Sequence, residues 1–99
     1  METVVQLPES EPPCTLREVL DALSSQKLIP RHDLKSWGDW IHLEDYRTVI
    51  SIESVRGLTR SATIETDESD AEDPTPAILR AFASLGWHGL DEDGIYPLS

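Results

Sequence analysis

Apolar residues recur along this chain with two different periods, and the switches between them mark its elements. Leu16, Val19, Leu20 and Leu23 fall at helical spacing. Thr15 and Glu18 form a capping box at the head of that stripe, in which each side chain satisfies the other's backbone N–H. The spacing predicts a helix over 15–27, closed by Pro30, because the residue before a proline avoids the α region. Residues 33–37 read as one further helical turn, stopped by Gly38.

The period then drops to two. Ile41 and Leu43, Ile50 and Ile52, and Ala62 and Ile64 alternate with polar or exposed positions in three short runs, 40–44, 47–54 and 60–66. Polar or glycine-containing breaks separate them, which predicts an antiparallel meander with one face in water.

Helical spacing returns at Ile78, Ala81, Phe82 and Leu85. Thr75 is placed as the cap and Pro76 as the first helical residue. Gly86 should close this helix in a left-handed conformation, with Trp87 folding back as the hydrophobic contact. Runs 87–90 and 95–98 flank Asp91, Glu92, Asp93 and Gly94, a hairpin with a four-residue loop.

Pro8, Pro12 and Pro13 with Glu9 and Glu11 make 1–13 a flexible, acidic, proline-rich tail; Val4, Val5 and Leu7 would add at most a short edge strand. The expected organisation is one small domain over 14–99, in the order α-β-β-β-α-β-β. Its fold class is α+β: two layers, with an antiparallel sheet of 3–5 strands and two helices on one face.

Charge changes the picture more than composition does. The chain has 99 residues and a net charge of -11. Residues 1–60 carry 10 acids and 7 bases, whereas 61–99 carry 9 acids and Arg80 alone. Glu65, Asp67, Glu68, Asp70, Glu72 and Asp73 crowd into nine positions, and Asp91, Glu92 and Asp93 make a second knot. Such runs must face water or something positive. Free nucleic acid and anionic membranes are poor ligands for this balance. A basic protein, such as one that itself binds nucleic acid, is the natural partner. The plainer reading is that the acids only provide solubility. The acids of 67–73 also precede the second helix, whose dipole favours negative charge there.

Other chemistry is sparse. The acidic run lacks the glycine of a calcium loop. His32, His42 and His88 show no ligand spacing; His88 near Asp91 and Asp93 is the least unsuitable zinc candidate. Cys14 is the single cysteine, without a partner for a disulfide, and it reads as a small packing residue at the helix entrance. Phosphate-loop, nucleophile-elbow and zinc-protease motifs are absent. No cofactor, metal or catalytic residue is expected, and the chain does not read as an enzyme unless a concave site joins His42 or His88 to buried carboxylates. No signal peptide or spanning segment is visible, so a cytoplasmic location is expected.

Trp40 falls on the face opposite Ile41 and Leu43, where it would anchor a contact patch with Val49 unless Trp37 or the tail covers it. Two functions follow. The first is a small interaction module (adaptor, inhibitor or immunity-type protein) that binds a basic protein through its acids, in a sharper form by mimicking nucleic acid. The second is a structural domain or subunit that docks, or forms a homodimer, through an open sheet face with no role for the charge.

Overall fold

The computed structural model describes residues 2–36 and 38–98; Trp37, and with it any cover that Trp37 gives to Trp40, lies outside the described residues. The first helix, α1, spans Leu16–Ser25 and begins with the capping box intact. The Glu18 N–H donates to Thr15 Oγ1 at 3.1 Å, and the Thr15 N–H donates to Glu18 Oε1 at 3.1 Å. Its inner face buries Val19, Ala22 and Leu23. The helix ends two residues early because Lys27 turns left-handed, with φ 65°. The Lys27 N–H then bonds the Ser24 carbonyl and the Leu28 N–H bonds the Leu23 carbonyl, a Schellman closure without glycine.

The second helix, α2, spans Thr75–Ser84, so its cap is Pro74 and the expected boundary moves by one residue. Its far end matches the expected closure. Gly86 has φ 86°, the Trp87 N–H bonds the Phe82 carbonyl, and the Phe82 and Trp87 rings lie 4.8 Å apart.

The described residues also form eight strands: β1 (Glu2–Gln6), β2 (Cys14–Thr15), β3 (Pro30–Lys35), β4 (Gly38–Leu43), β5 (Val49–Val55), β6 (Leu58–Glu65), β7 (His88–Asp91) and β8 (Gly94–Pro97). They form one antiparallel sheet ordered β3-β4-β5-β6-β1-β7-β8, with β2 also paired to β6. The α+β class stands, and the sheet is larger than the 3–5 strands expected. Three differences account for the excess. First, the proline-rich start does not hang outside the domain as a tail: β1 runs between β6 and β7, with Val5 fully buried between Ala62 and Gly89. Second, residues 33–37 do not form a helical turn. Residues 30–35 pair with β4 from Pro30 opposite Leu43 to Lys35 opposite Gly38. Third, Cys14 and Thr15 pair with Thr59 and Leu58 before α1 begins. The last hairpin is also tighter than expected, because Asp91 pairs with Gly94 and only two residues form the loop.

Alternation sorts the strand residues onto two faces. Ile41, Leu43, Ile50, Ile52, Ala62 and Ile64 point into a single core shared with the buried faces of α1 and α2. Gly89 sits in this inner face because the Tyr96 ring lies over it; an added Cβ would meet Tyr96 at 2.1 Å. The opposite face carries no helix. At the β5–β6 hairpin, Arg56 and Gly57 both have positive φ, 56° and 78°, the type I′ geometry that matches strand twist.

Two substitutions test these backbone assignments. Lys27→Gly should raise stability by about 0.5–1 kcal/mol in urea unfolding, because glycine adopts the left-handed turn without a Cβ clash. Gly89→Ala should lower it by about 1–3 kcal/mol, since Tyr96 must leave its place.

Candidate functional site

The acidic run divides by side-chain length. Aspartate is short enough to bond the backbone around it, which glutamate does poorly. Asp70 reaches back to the start of β5: its Oδ1 accepts the Arg47 N–H at 2.6 Å, and its Oδ2 accepts the Thr48 N–H at 3.1 Å and the Thr48 hydroxyl at 2.6 Å. Thr48 is fully buried, so this carboxylate satisfies polar groups that water cannot reach. Asp67 accepts both the N–H and the hydroxyl of Ser69, and Asp73 accepts the Thr75 N–H at the entrance of α2. These three aspartates, three residues apart, fold the loop and tie it down. The side chains of Glu65, Glu68 and Glu72 stand exposed and make no hydrogen bond or ion pair among the described residues.

Each of the three aspartates is held below the ordinary carboxyl value of 3.8. For Asp70, burial pushes upward, but the Thr48 hydroxyl and the Arg47 and Thr48 N–H groups outweigh it. For Asp67 the cause is the Ser69 hydroxyl and N–H, with Arg47 helping. For Asp73 it is Thr75.

Strand register gathers the remaining acids. Glu2 lies opposite Glu65, and β7 runs beside β1 with Leu90 opposite Val4. The Asp91, Glu92 and Asp93 turn therefore lies at the same end of the sheet as Glu65 and the 66–74 loop. Asp91 Oδ1 accepts the Asp93 N–H at 2.8 Å, whereas the Glu92 and Asp93 side chains are exposed. Glu44 and Asp45 turn at this end too, since His42 lies opposite Val49 and Val49 opposite Glu65. The other end of the sheet carries the β5–β6 turn with Arg56 and Arg60. The two acidic knots thus lie at one end of the sheet and form an acidic pole, with Arg31 and Arg47 at its margin, while Glu53 lies at the other end with Arg56 and Arg60. Glu2, Glu44 and Asp45 were missed in the sequence because only the central placement of β1 and the β4–β5 register bring them in.

Trp40 is half-buried on the face opposite the helices, with its ring 5.7 Å from that of His42. His42 Nε2 lies 3.7 Å from Asp33 Oδ2. The structure does not bring Trp40 to the acidic pole: it sits in mid-strand, opposite Ser51.

One buried carboxylate lies elsewhere. Asp39 is 2% exposed and accepts from the His32 ring and the Ser54 hydroxyl, which joins β3, β4 and β5. Burial raises this carboxyl, but Ser54 and His32 together outweigh it and hold it below 3.8. Asp39 stands between the other two groups, so the Ser54 hydroxyl meets the carboxylate and not the His32 ring, and the trio is not arranged in the order of a serine–histidine–aspartate triad.

Two open depressions flank the sheet. One, about 580 Å³, is lined by Arg31, Asp33, His42, Glu44, Asp45 and Tyr46 among others, and Asp39 does not line it. The second, about 540 Å³, lies on the uncovered face between Pro13, Glu53, Val55, Arg56, Leu58 and Arg60.

By the pleat, His88 faces away from the inner side on which Asp91 falls, so the two do not converge. Among the described residues no three His, Cys, Asp or Glu side chains are grouped to hold a metal. Cys14 is buried and accepts the Trp87 indole N–H at 3.4 Å. No described helix is long and apolar enough to cross a membrane. Comparison with known proteins finds no matching family model, curated protein or solved structure.

The division of the acids can be checked by unfolding. Asp70→Ala should cost about 2–3 kcal/mol, because it strands two N–H groups and a buried hydroxyl, while Glu68→Gln should change stability by less than about 0.5 kcal/mol. Stability should also depend on acid. Asp39 and Asp70 have folded values below 3.8, so their contribution is present above pH 3.8 and is lost as pH falls through the folded values. A pH series of urea midpoints should fall steeply in that acidic window, and Asp70→Asn should flatten the fall.

Proposed function

We propose that the protein is an interaction module whose acidic pole binds a basic protein partner. The observation that carries this reading is the convergence of Glu65, Glu68, Glu72, Glu92 and Asp93, exposed and without internal partners, at one end of a single sheet. Like charges brought together repel, and the fold leaves them so. A basic surface would relieve that repulsion and would be steered to the pole at long range. Asp67, Asp70, Asp73 and Asp91 belong to the pole as charges, while their hydrogen bonds hold its shape. A protein that binds nucleic acid is the partner of choice, since its groove already accepts rows of negative charge. Mimicry of nucleic acid is the sharper form of the same reading. Trp40 lies outside the pole, and we assign it no part in this contact.

The test uses only acids that do not hold the loop. The immobilised chain is exposed to nuclease-treated lysate and eluted with rising salt, beside a Glu65→Gln, Glu68→Gln, Glu72→Gln, Glu92→Gln variant. A strongly basic protein should elute at moderate salt from the parent and be absent from the variant, and added duplex DNA should displace it. Equal retention on both would refute the acidic pole as the binding surface. Retention lost from the variant but indifferent to DNA would keep the pole and refute mimicry.

A further inference from the structure

The strand order leaves two edges, β8 and β3, and they differ in what they offer. On β8, Asp91 opposite Gly94 closes the hairpin, so Gly94 and Tyr96 bond β7. Only Ile95 turns an N–H outward there, because Pro97 has none. On β3, the Ile29 carbonyl accepts the Glu44 N–H at 3.0 Å, which fixes the alternation along the β3–β4 ladder. Arg31 and Asp33 therefore bond toward β4. His32 and Leu34 turn both N–H and C=O away from the sheet, and Pro30 turns out its C=O alone. No described strand lies on that side. The side chains divide as well. Pro30, His32 and Leu34 fall on the helix side, opposite Leu43, Ile41 and Asp39, and Leu34 is 76% exposed. Arg31 and Asp33 fall on the other face, opposite His42 and Trp40.

We infer that β3 pairs antiparallel with the β3 of a second copy of this chain, with His32 opposite His32 on a two-fold axis normal to the sheet. In this register each His32 N–H meets the second copy's His32 carbonyl, and each Leu34 N–H meets the second copy's Pro30 carbonyl. Every outward N–H of residues 30–34 is then bonded, and the missing N–H of Pro30 falls at the end of the ladder, where water can serve the Leu34 carbonyl. The exposed Leu34 gains the Pro30 ring as its cross-strand neighbour. On the other face Arg31 stands opposite Asp33 on both sides of the axis, in the closer class of antiparallel pair. The His32 rings do not collide, because each is drawn to Asp39 on its own β4.

Neighbouring registers fail. Centring on Arg31 or on Asp33 sets that charge against its own copy. Centring on Leu34 leaves His32 opposite residue 36, beyond the end of the strand, and halves the ladder. In the His32 register residues 30–34 pair wholly among themselves, so the 36–37 turn stays outside. Antiparallel pairing also sends the two acidic poles to opposite ends of the joined sheet, which keeps two chains of net charge -11 from setting their acids together. The dimer does not use the pole and does not depend on the proposed function. A contact one strand wide is small, so its Kd should be about 0.1–1 mM.

Amide hydrogen exchange of the full chain by NMR, beside sedimentation equilibrium, tests the inference from about 20 μM to about 2 mM. The expected result is a monomer–dimer equilibrium in which exchange at the His32 and Leu34 N–H slows by about two- to sevenfold at the highest concentration, while Arg31 and Asp33 do not change. Leu34→Pro removes an N–H that β4 does not use and should weaken the dimer at least about tenfold. Arg31→Asp and Asp33→Arg should each weaken it, and the double variant should restore it, since the charges only change places. Circular dichroism checks that each variant is folded; if Leu34→Pro is not, the exchange pattern of the parent decides alone. A chain that stays monomeric throughout overturns the inference. So does a dimer that leaves His32 and Leu34 exchange unchanged or that survives Leu34→Pro, since it uses another surface. A dimer that the double variant fails to restore overturns the His32-centred register.

Discussion

The structure depends on β1 lying between β6 and β7. Apart from β1, the strands β3 to β6 pair with one another and with β2, and β7 and β8 pair with each other. Only β1 makes hydrogen bonds to both groups. It also fills the gap in the core face, since Val5 is fully buried between Ala62 and Gly89. Take β1 away and the groups are joined only through α2 and side-chain packing, with two new open edges. On the face away from the helices Val4 likewise joins Thr63 to Leu90.

The two helices and the meander could be read locally because each carried its own signals. The Thr15 and Glu18 box, the leucine stripe, and Gly86 followed by Trp87 act within one or two turns of chain. β1 could not be read that way. Its five residues sit beside prolines near a terminus, and nothing local distinguishes a central strand from a frayed one. β3 was hidden for the opposite reason. Arg31, Asp33 and Lys35 give it no apolar alternation, and it is a strand because β4 is its template and Asp39 binds His32 across the pair. The acids were visible from the start. Their gathering into one pole was not, because it rests on register between segments more than sixty residues apart.

Charge and apolar surface are laid out on different axes of this domain. Apolar burial runs through the sheet, from the helices to the inner face, and sets the stability. Charge gathers at the ends of the strands, with most of the acid at the 66–74 and 92–93 turns, and sets the field seen from outside. The separation leaves the helix-facing side of the sheet almost free of charge. Among the described residues Asp39 is its one buried carboxylate, held by two side-chain bonds in place of a water shell.

The alternation of aspartate and glutamate in the 65–73 loop also bears on how this sequence is free to drift. Glu65, Glu68 and Glu72 answer only to solubility and to whatever meets the pole, so any polar residue keeps the fold. Asp67, Asp70 and Asp73 answer to the backbone. A lineage that shed its negative charge could replace all three glutamates and leave the loop in place. One that exchanged Asp70 for a glutamate would keep its charge and lose its shape, because the longer arm overshoots the two N–H groups that the aspartate reaches.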